Sequence, residues 1–165
     1  MSAEIPRIDE GHLRRCVELA SQALENGDDP FGSVLVGEDG VVLAEATNRE
    51  RSEADPTAHP ELALVRWAIA HLTPEQRAAS TVYTSGEHCP MCAAAHGWAG
   101  LGPVIAAATA AQLSQWRTSW GWPAGPVAPM RLRDVAPDVV VIAPVAPFDA
   151  QMHEVHRRAF ARAER

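Results

Sequence analysis

The sequence predicts an α/β fold, a three-layer α/β/α sandwich on a five-stranded mixed sheet. Three observations carry that expectation. "GSVLVGEDGVVLAEA" is a hairpin signal, two apolar runs about a Gly-containing turn. Downstream of it, short β-rich runs alternate with helical stretches. One of those runs, "GPVIAAAT", is apolar on both faces, as a strand buried inside a parallel sheet must be.

Residues 8–26 read as an amphipathic helix, with Leu13, Val17, Ala20 and Leu24 at helical spacing. Asn26-Gly27 and Asp28-Asp29-Pro30 stop it. The hairpin places strands at Val34 to Val36 and Val41 to Ala46, with a turn over Glu38-Asp39-Gly40. A polar loop over 47–59 ends at His59, and Pro60 suits the first turn of a helix, where its missing N–H costs nothing. Leu62, Val65, Ile69 and Leu72 are that helix's expected buried stripe. "STVYTS" predicts a strand, 90–99 a small-residue helix, "GPVIAAAT" the fourth strand and 110–117 a short helix. After a Trp-, Gly- and Pro-rich excursion, "WRTSWGWPAGPVAPM", come a fifth strand, "DVVVIAPV", and a last helix over 149–162. Without repeat, long linker or low-complexity tract, residues 1–165 read as a single domain.

Composition narrows the function classes. Lys and Arg number 14 against 21 Asp and Glu, a formal net charge of -7. Such a surface repels a polyphosphate backbone, and no basic run with interleaved aromatics offsets it, so nucleic acid is the weaker partner. No apolar run reaches membrane-spanning length, and a cytoplasmic protein is the expectation. Cys89-Pro90-Met91-Cys92 and Cys16 form no disulfide framework; Cys16 falls on the apolar side of the first helix and reads as core.

Cys-x-x-Cys opening a helix is a thiolate pair, because exposed N–H groups and the helix dipole favour negative sulfur. Two thiolates and the imidazole of His59 make a tetrahedral zinc site with one position left over, and Glu61 is then a carboxylate beside that position. Zinc acidifies a bound water, and Glu61 is placed to take its proton and return it to a ring nitrogen and a departing amine. Two other readings compete: a redox pair, which has no use for His-x-Glu, and a closed structural zinc with His88 as fourth ligand, which leaves Glu61 without a role.

His-x-Glu followed by Pro-Cys-x-x-Cys is the signature of zinc deaminases. Here it stands as His59-Pro60-Glu61 and Cys89-Pro90-Met91-Cys92, with His88 where proline is usual. Together with "DPFGSVLV", "TNRERSEADPTAHPELALVRWA" and "TVYTSGEHCPMCAAAHGWA", the chain resembles the cytidine deaminase-like superfamily from about residue 8 to 160. The likeness is on the side of guanine deaminases, cytosine deaminases and tRNA adenosine deaminases. It implies zinc on His59, Cys89 and Cys92, proton transfer by Glu61, and base contact by Asn48, whose other reading is a turn residue. It further implies a pocket lined by Phe31 and by Ser85, Gly86, Glu87 and His88, with Glu87 buttressing the loop. Phe31 reads equally as core and His88 equally as a surface imidazole. A parallel fifth strand and a homodimer are also implied.

The substrate is less defined than the reaction. Guanine deaminases often carry an acidic residue after the fourth strand, and "AAATAAQLSQW" has none. Trp116, Trp120 and Trp122 either cap the pocket, fill a dimer seam or cover the sheet edge; His156 and Phe160, on the last helix, are candidates for a lid. The expected activity is hydrolytic deamination of a free nucleobase or related amino-heterocycle with no organic cofactor. A tRNA adenosine deaminase and a non-catalytic zinc-stabilised interaction module are the alternatives.

Overall fold

The computed structural model describes residues 7–164. Strand β1 (Gly32–Val36) shows how two cores arise from one sheet. Val34 and Val36 point to one face and Leu35 to the other, by the two-residue period of a strand. The first face is covered by α1 (Glu10–Glu25) and α7 (Phe148–Ala163), which bring Leu13, Cys16, Leu19, Met152 and Val155. The second is covered by α2 (Pro60–His71) and α4 (Pro90–Ala99), which bring Leu64, Val65, Ala68 and Ala93. Helices on both faces of a mixed five-stranded sheet are the three layers the sequence predicts.

The sheet is completed by β2 (Val42–Thr47), β3 (Thr81–Gly86), β4 (Val104–Ala108) and β5 (Val141–Ile142), in the order β2-β1-β3-β4-β5. β1 is antiparallel to both β2 and β3, whereas β3, β4 and β5 run parallel. Consequently β2, β3 and β4 all end at the same edge, and β1 begins there. Phe31, Asn48, the 87–89 loop and Thr109 therefore meet at one end of the sheet, where open α/β sheets bind ligands. Gly32 lets α1 approach that end, since a Cβ there would overlap the Leu19 Cβ and lie 2.7 Å from the Ala20 N.

Several boundaries differ from the sequence reading. Of the expected stripe α2 buries only Val65, and with it Glu61, Leu64 and Ala68; Ile69 is 55% exposed, and Leu62 and Leu72 are only half-buried. The helix is rotated so that Glu61 turns inward, carrying Leu64, Val65 and Ala68 with it. β5 keeps two paired residues of the expected run, because Pro144 has no N–H to extend a ladder. Two short helices were not anticipated, α3 (Pro74–Ala79) and α6 (Leu132–Val135). The first begins at a capping box of Thr73 and Gln76. Between them, α5 (Ala110–Ser119) runs slightly longer than expected. Among the described residues, no helix is long and apolar enough to cross a membrane.

Candidate active site

His59 is the N-cap of α2 and Cys89 the N-cap of α4, each followed by proline. Cys92 lies in the first turn of α4, so both sulfurs occupy the positive end of a helix dipole. His59 Nδ1 is 3.5 Å from Cys89 Sγ and 3.6 Å from Cys92 Sγ, and the three donor atoms all lie within 4.8 Å of one another. A tetrahedral ion with sulfur at about 2.3 Å and nitrogen at about 2.05 Å separates such ligands by about 3.5–3.6 Å. The N/S/S set thus fits a zinc ion in chemistry and in spacing. Hydrogen bonds from Cys92 and His59 draw the Cys89 thiol down to about 4, while donating to Cys89 and being buried pushes Cys92 up. A divalent cation among the three donors would relieve that asymmetry.

The imidazole is fixed from behind. His59 Nε2 lies 3.0 Å from Glu50 Oε1, leaving Nδ1 to face the two sulfurs. Its hydrogen bonds to Cys89 and Glu50 hold the ring up at about 10. Asn48 orients the carboxylate in turn: Nδ2 donates to Glu50 Oε1 at 2.8 Å, and Glu50 N donates to Asn48 Oδ1 at 3.0 Å. One amide hydrogen of Asn48 is left over. The loop is anchored by Asp28, which accepts hydrogen bonds from Arg51 N, Ser52 N and Ser52 Oγ.

Glu61 is 5% exposed, and its burial raises its pKa. Thr84 Oγ1 donates to Oε1 at 3.1 Å, and the Cys92 thiol lies 3.8 Å from Oε2. Ser33, paired with Thr84 across β1 and β3, donates to that hydroxyl at 2.8 Å, so a polar strip crosses the sheet to the carboxylate. Glu50, Thr84, Ser33 and Asp28 were all missed by sequence reasoning. Only a carboxylate in the loop leading to His59 could have been suspected, as the usual partner of a ligating imidazole.

The expected pocket residues separate into two groups. A Cβ at Gly86 would lie 3.4 Å from the Phe31 ring, which meets His156 edge-on at 5.1 Å. Ser85 is fully buried, with its hydroxyl accepting from Gly32 N at 3.1 Å. Glu87 receives Ala110 N at 2.9 Å and Leu132 N at 2.7 Å, tying the starts of α5 and α6 to the loop before Cys89. His88 is not a surface imidazole: it is 1% exposed, its ring 5.1 Å from that of His96. The tryptophans pack on α7. Trp116 is 5.1 Å from His153 and 6.1 Å from His156, and Trp120 and Trp122 lie 5.8 and 5.3 Å from Phe160.

Comparison with known proteins places this geometry. Residues 6–108 match the family described as the cytidine and deoxycytidylate deaminase zinc-binding region. A guanine deaminase of Bacillus subtilis is 42% identical over 91 residues, 54% of this chain and 58% of that protein. A tRNA-specific adenosine deaminase of Agrobacterium fabrum is 42% identical over 82 residues, 50% of this chain and 53% of that protein. The chain thus spans little more than half the length of these curated relatives. The solved guanine deaminase from Nitrosomonas europaea superposes with a TM-score of 0.73 over 96% of this chain and 87% of its own, at 21% identity, a likeness of fold. With a His/Cys/Cys cluster that could hold a metal ion, a buried glutamate beside it and the sheet order in place, the chain belongs to the cytidine and deoxycytidylate deaminase family, within the cytidine deaminase-like superfamily of zinc deaminases.

Proposed function

We propose that the chain is a zinc-dependent hydrolytic deaminase of a free nucleobase or related amino-heterocycle. The observation that carries this reading is the buried Glu61 carboxylate beside three donors spaced for one tetrahedral ion. His59, Cys89 and Cys92 would hold zinc, which when bound supplies a water acidified toward neutrality.

The protein's own groups do the rest. Glu61, kept from solvent and raised by burial, accepts one proton of the attacking water and delivers it to a ring nitrogen. It then takes the second from the hydroxyl left on the attacked carbon and gives it to the amine that leaves as ammonia, so that the carbon keeps an oxo group. The Thr84 hydroxyl steadies one carboxylate oxygen while the other faces the Cys92 sulfur. Asn48, pinned by Glu50, offers its remaining N–H to the ring edge. Phe31 and His156 supply flat apolar surface for a heterocycle.

A net charge of -7 favours a small substrate over an anticodon loop. A homodimer through the α2 and α4 layer is supported by Trp98, 89% exposed, and Ile69, 55% exposed. Sedimentation is expected to give twice the chain mass, and Trp98→Arg to give monomer; a monomeric wild type would end that part of the proposal.

The direct experiment is ammonia release by the purified, zinc-loaded protein. Substrates should include guanine, isoguanine, adenine, cytosine, amino-triazines, their nucleosides and a tRNA anticodon stem. Turnover of a free base, and an approximately 10²–10⁴-fold lower kcat in Glu61→Gln with zinc retained, are expected. Activity confined to RNA would establish the tRNA reading instead, and silence on every substrate with zinc bound would favour the interaction module.

A further inference from the structure

The interior of the sheet carries two hydroxyls that packing does not require. Ser33 on β1 and Thr84 on β3 are cross-strand partners, both fully buried, on the same face as Leu35, the one that α2 and α4 cover. A buried hydroxyl is costly unless it is hydrogen-bonded, and the bonds here converge on one carboxylate. Ser33 Oγ lies 2.8 Å from Thr84 Oγ1. Thr84 Oγ1 in turn lies 3.1 Å from Glu61 Oε1 and 3.0 Å from the Gly86 carbonyl oxygen.

A count of hydrogens sets the directions. Thr84 has a single hydroxyl hydrogen, which either the carboxylate or the carbonyl takes, so the bond between the hydroxyls uses the hydrogen of Ser33. Of the two acceptors the carboxylate is the stronger, because a charge-assisted hydrogen bond is roughly twice as strong as a neutral one. Donation from Ser33 polarises the Thr84 O–H and strengthens the bond further. Thr84 is also β-branched and stiff at χ1, so its oxygen keeps its place. Among the described residues Ser33 Oγ makes no other hydrogen bond. The strip therefore ends inside the core and does not conduct protons to solvent. It holds something still. With Oε1 held, the free oxygen of Glu61 is Oε2, which lies 3.8 Å from Cys92 Sγ, one of the three candidate metal donors.

We propose that Ser33 and Thr84 are a positioning pair for Glu61. Ser33 aims the Thr84 hydroxyl, Thr84 holds Oε1, and Oε2 is left as the oxygen that exchanges protons with water and substrate. This deepens the deaminase reading and rests on it for the proton transfers.

The test uses zinc-loaded full-length protein and the panel of free bases. Thr84→Val keeps the shape and loses the hydroxyl; kcat is expected to fall about 10- to 100-fold, with KM within about twofold and zinc content unchanged. Thr84→Ser should return kcat to within about threefold of wild type, and Ser33→Ala should lower it about 3- to 10-fold. The double variant Ser33→Ala/Thr84→Val should be no slower than Thr84→Val alone, because Ser33 acts only through Thr84. A general weakening of the sheet would instead multiply the two losses. Multiplied losses, or an unchanged kcat in folded, zinc-loaded Thr84→Val, overturn the assignment. If Thr84→Val does not fold, Ser33→Ala decides, and a kcat equal to wild type overturns it. A second readout needs no turnover: the urea midpoints of Thr84→Val, Glu61→Met and the double variant are expected to be non-additive. Non-additivity without ammonia release from any base leaves the pair its hold on Glu61 and removes the deaminase reading. Turnover that Thr84→Val leaves unchanged does the reverse.

Discussion

At the scale of single residues, the site is a set of acceptors and donors that each have one task. Glu50 has the least visible one. Its Oε1 takes the His59 Nε2 proton at 3.0 Å and an Asn48 amide hydrogen at 2.8 Å, which fixes both the tautomer and the rotation of the ring. Replacing it by Gln keeps the shape and lets Asn48 pair with an amide, but removes the charge behind the imidazole. We expect Glu50→Gln to weaken zinc affinity by about 10- to 100-fold in a chelator competition, as loss of an outer carboxylate does elsewhere. Unchanged affinity would show the contact to be incidental. His59, Glu61, Cys89 and Cys92 were legible beforehand because their residue types and spacing are chemical statements in themselves. Glu50 was not, since Glu53 and Asp55 stand in the same loop and nothing local tells the three apart. Thr84 and Ser33 read as ordinary strand positions until the register of β1 and β3 brings them to the carboxylate. His88 is packed against His96 and is not the surface imidazole that was its other reading.

At the scale of elements, chemistry overrode hydrophobic pattern in α2. The reading from periodicity put Ile69 inside, but turning Glu61 toward the sheet rotates the helix and leaves Ile69 in solvent. The apolar run of β1 and the two-sided apolar character of β4 were reliable because both strands are wholly covered. Two contacts between elements hold the site end of the sheet. The first is the approach of α1 to Gly32, where a methyl group would press on the Leu19 side chain and the α1 backbone. Gly32→Ala is therefore expected to cost about 2–3 kcal/mol, read as a lower urea midpoint at constant m; a neutral result would mean that α1 shifts freely. The second is Asp28, which joins the end of α1 to the loop that carries Glu50. Burial raises its pKa, but hydrogen bonds from Ser52 and Arg51 outweigh that and lower it. A carboxylate depressed in the folded state stabilises above its unfolded pKa, ordinarily 3.8, and that stability is lost as pH falls through the folded value. Asp28→Ala should thus lose about 2 kcal/mol or more near pH 7 and less near pH 3, where the unfolded state already binds the proton. An equal loss at both pH values would show that the charge plays no part.

At the scale of the whole molecule, the topology concentrates the chemistry. Because β1 opposes both of its neighbours, the ends of β2 and β3 fall on the same side, and each feeds a helix whose first residues carry the candidate metal donors. The mixed sheet and its layers were foreseeable from the order of hairpin, strands and helices, but the convergence of those two helix starts on 3.5 and 3.6 Å spacings is a product of the complete fold. A metal held there ties α2 to α4, and with them the loop from Asp28 to His59 and the loop fixed by Glu87. Its binding energy is then part of the folding energy. At a free zinc concentration a thousandfold above Kd the folded state gains about 4 kcal/mol. For a chain of this size, that corresponds to roughly 10 °C in melting temperature. Scanning calorimetry of protein with one zinc per chain, before and after a strong chelator, should show a fall of that order, reversed by added zinc. Cys89→Ser should melt near the chelated wild type and respond weakly to either treatment. If the zinc-loaded and chelated proteins melt together, the cation does not join the two helices, and the three donors serve something other than the fold that brings them together.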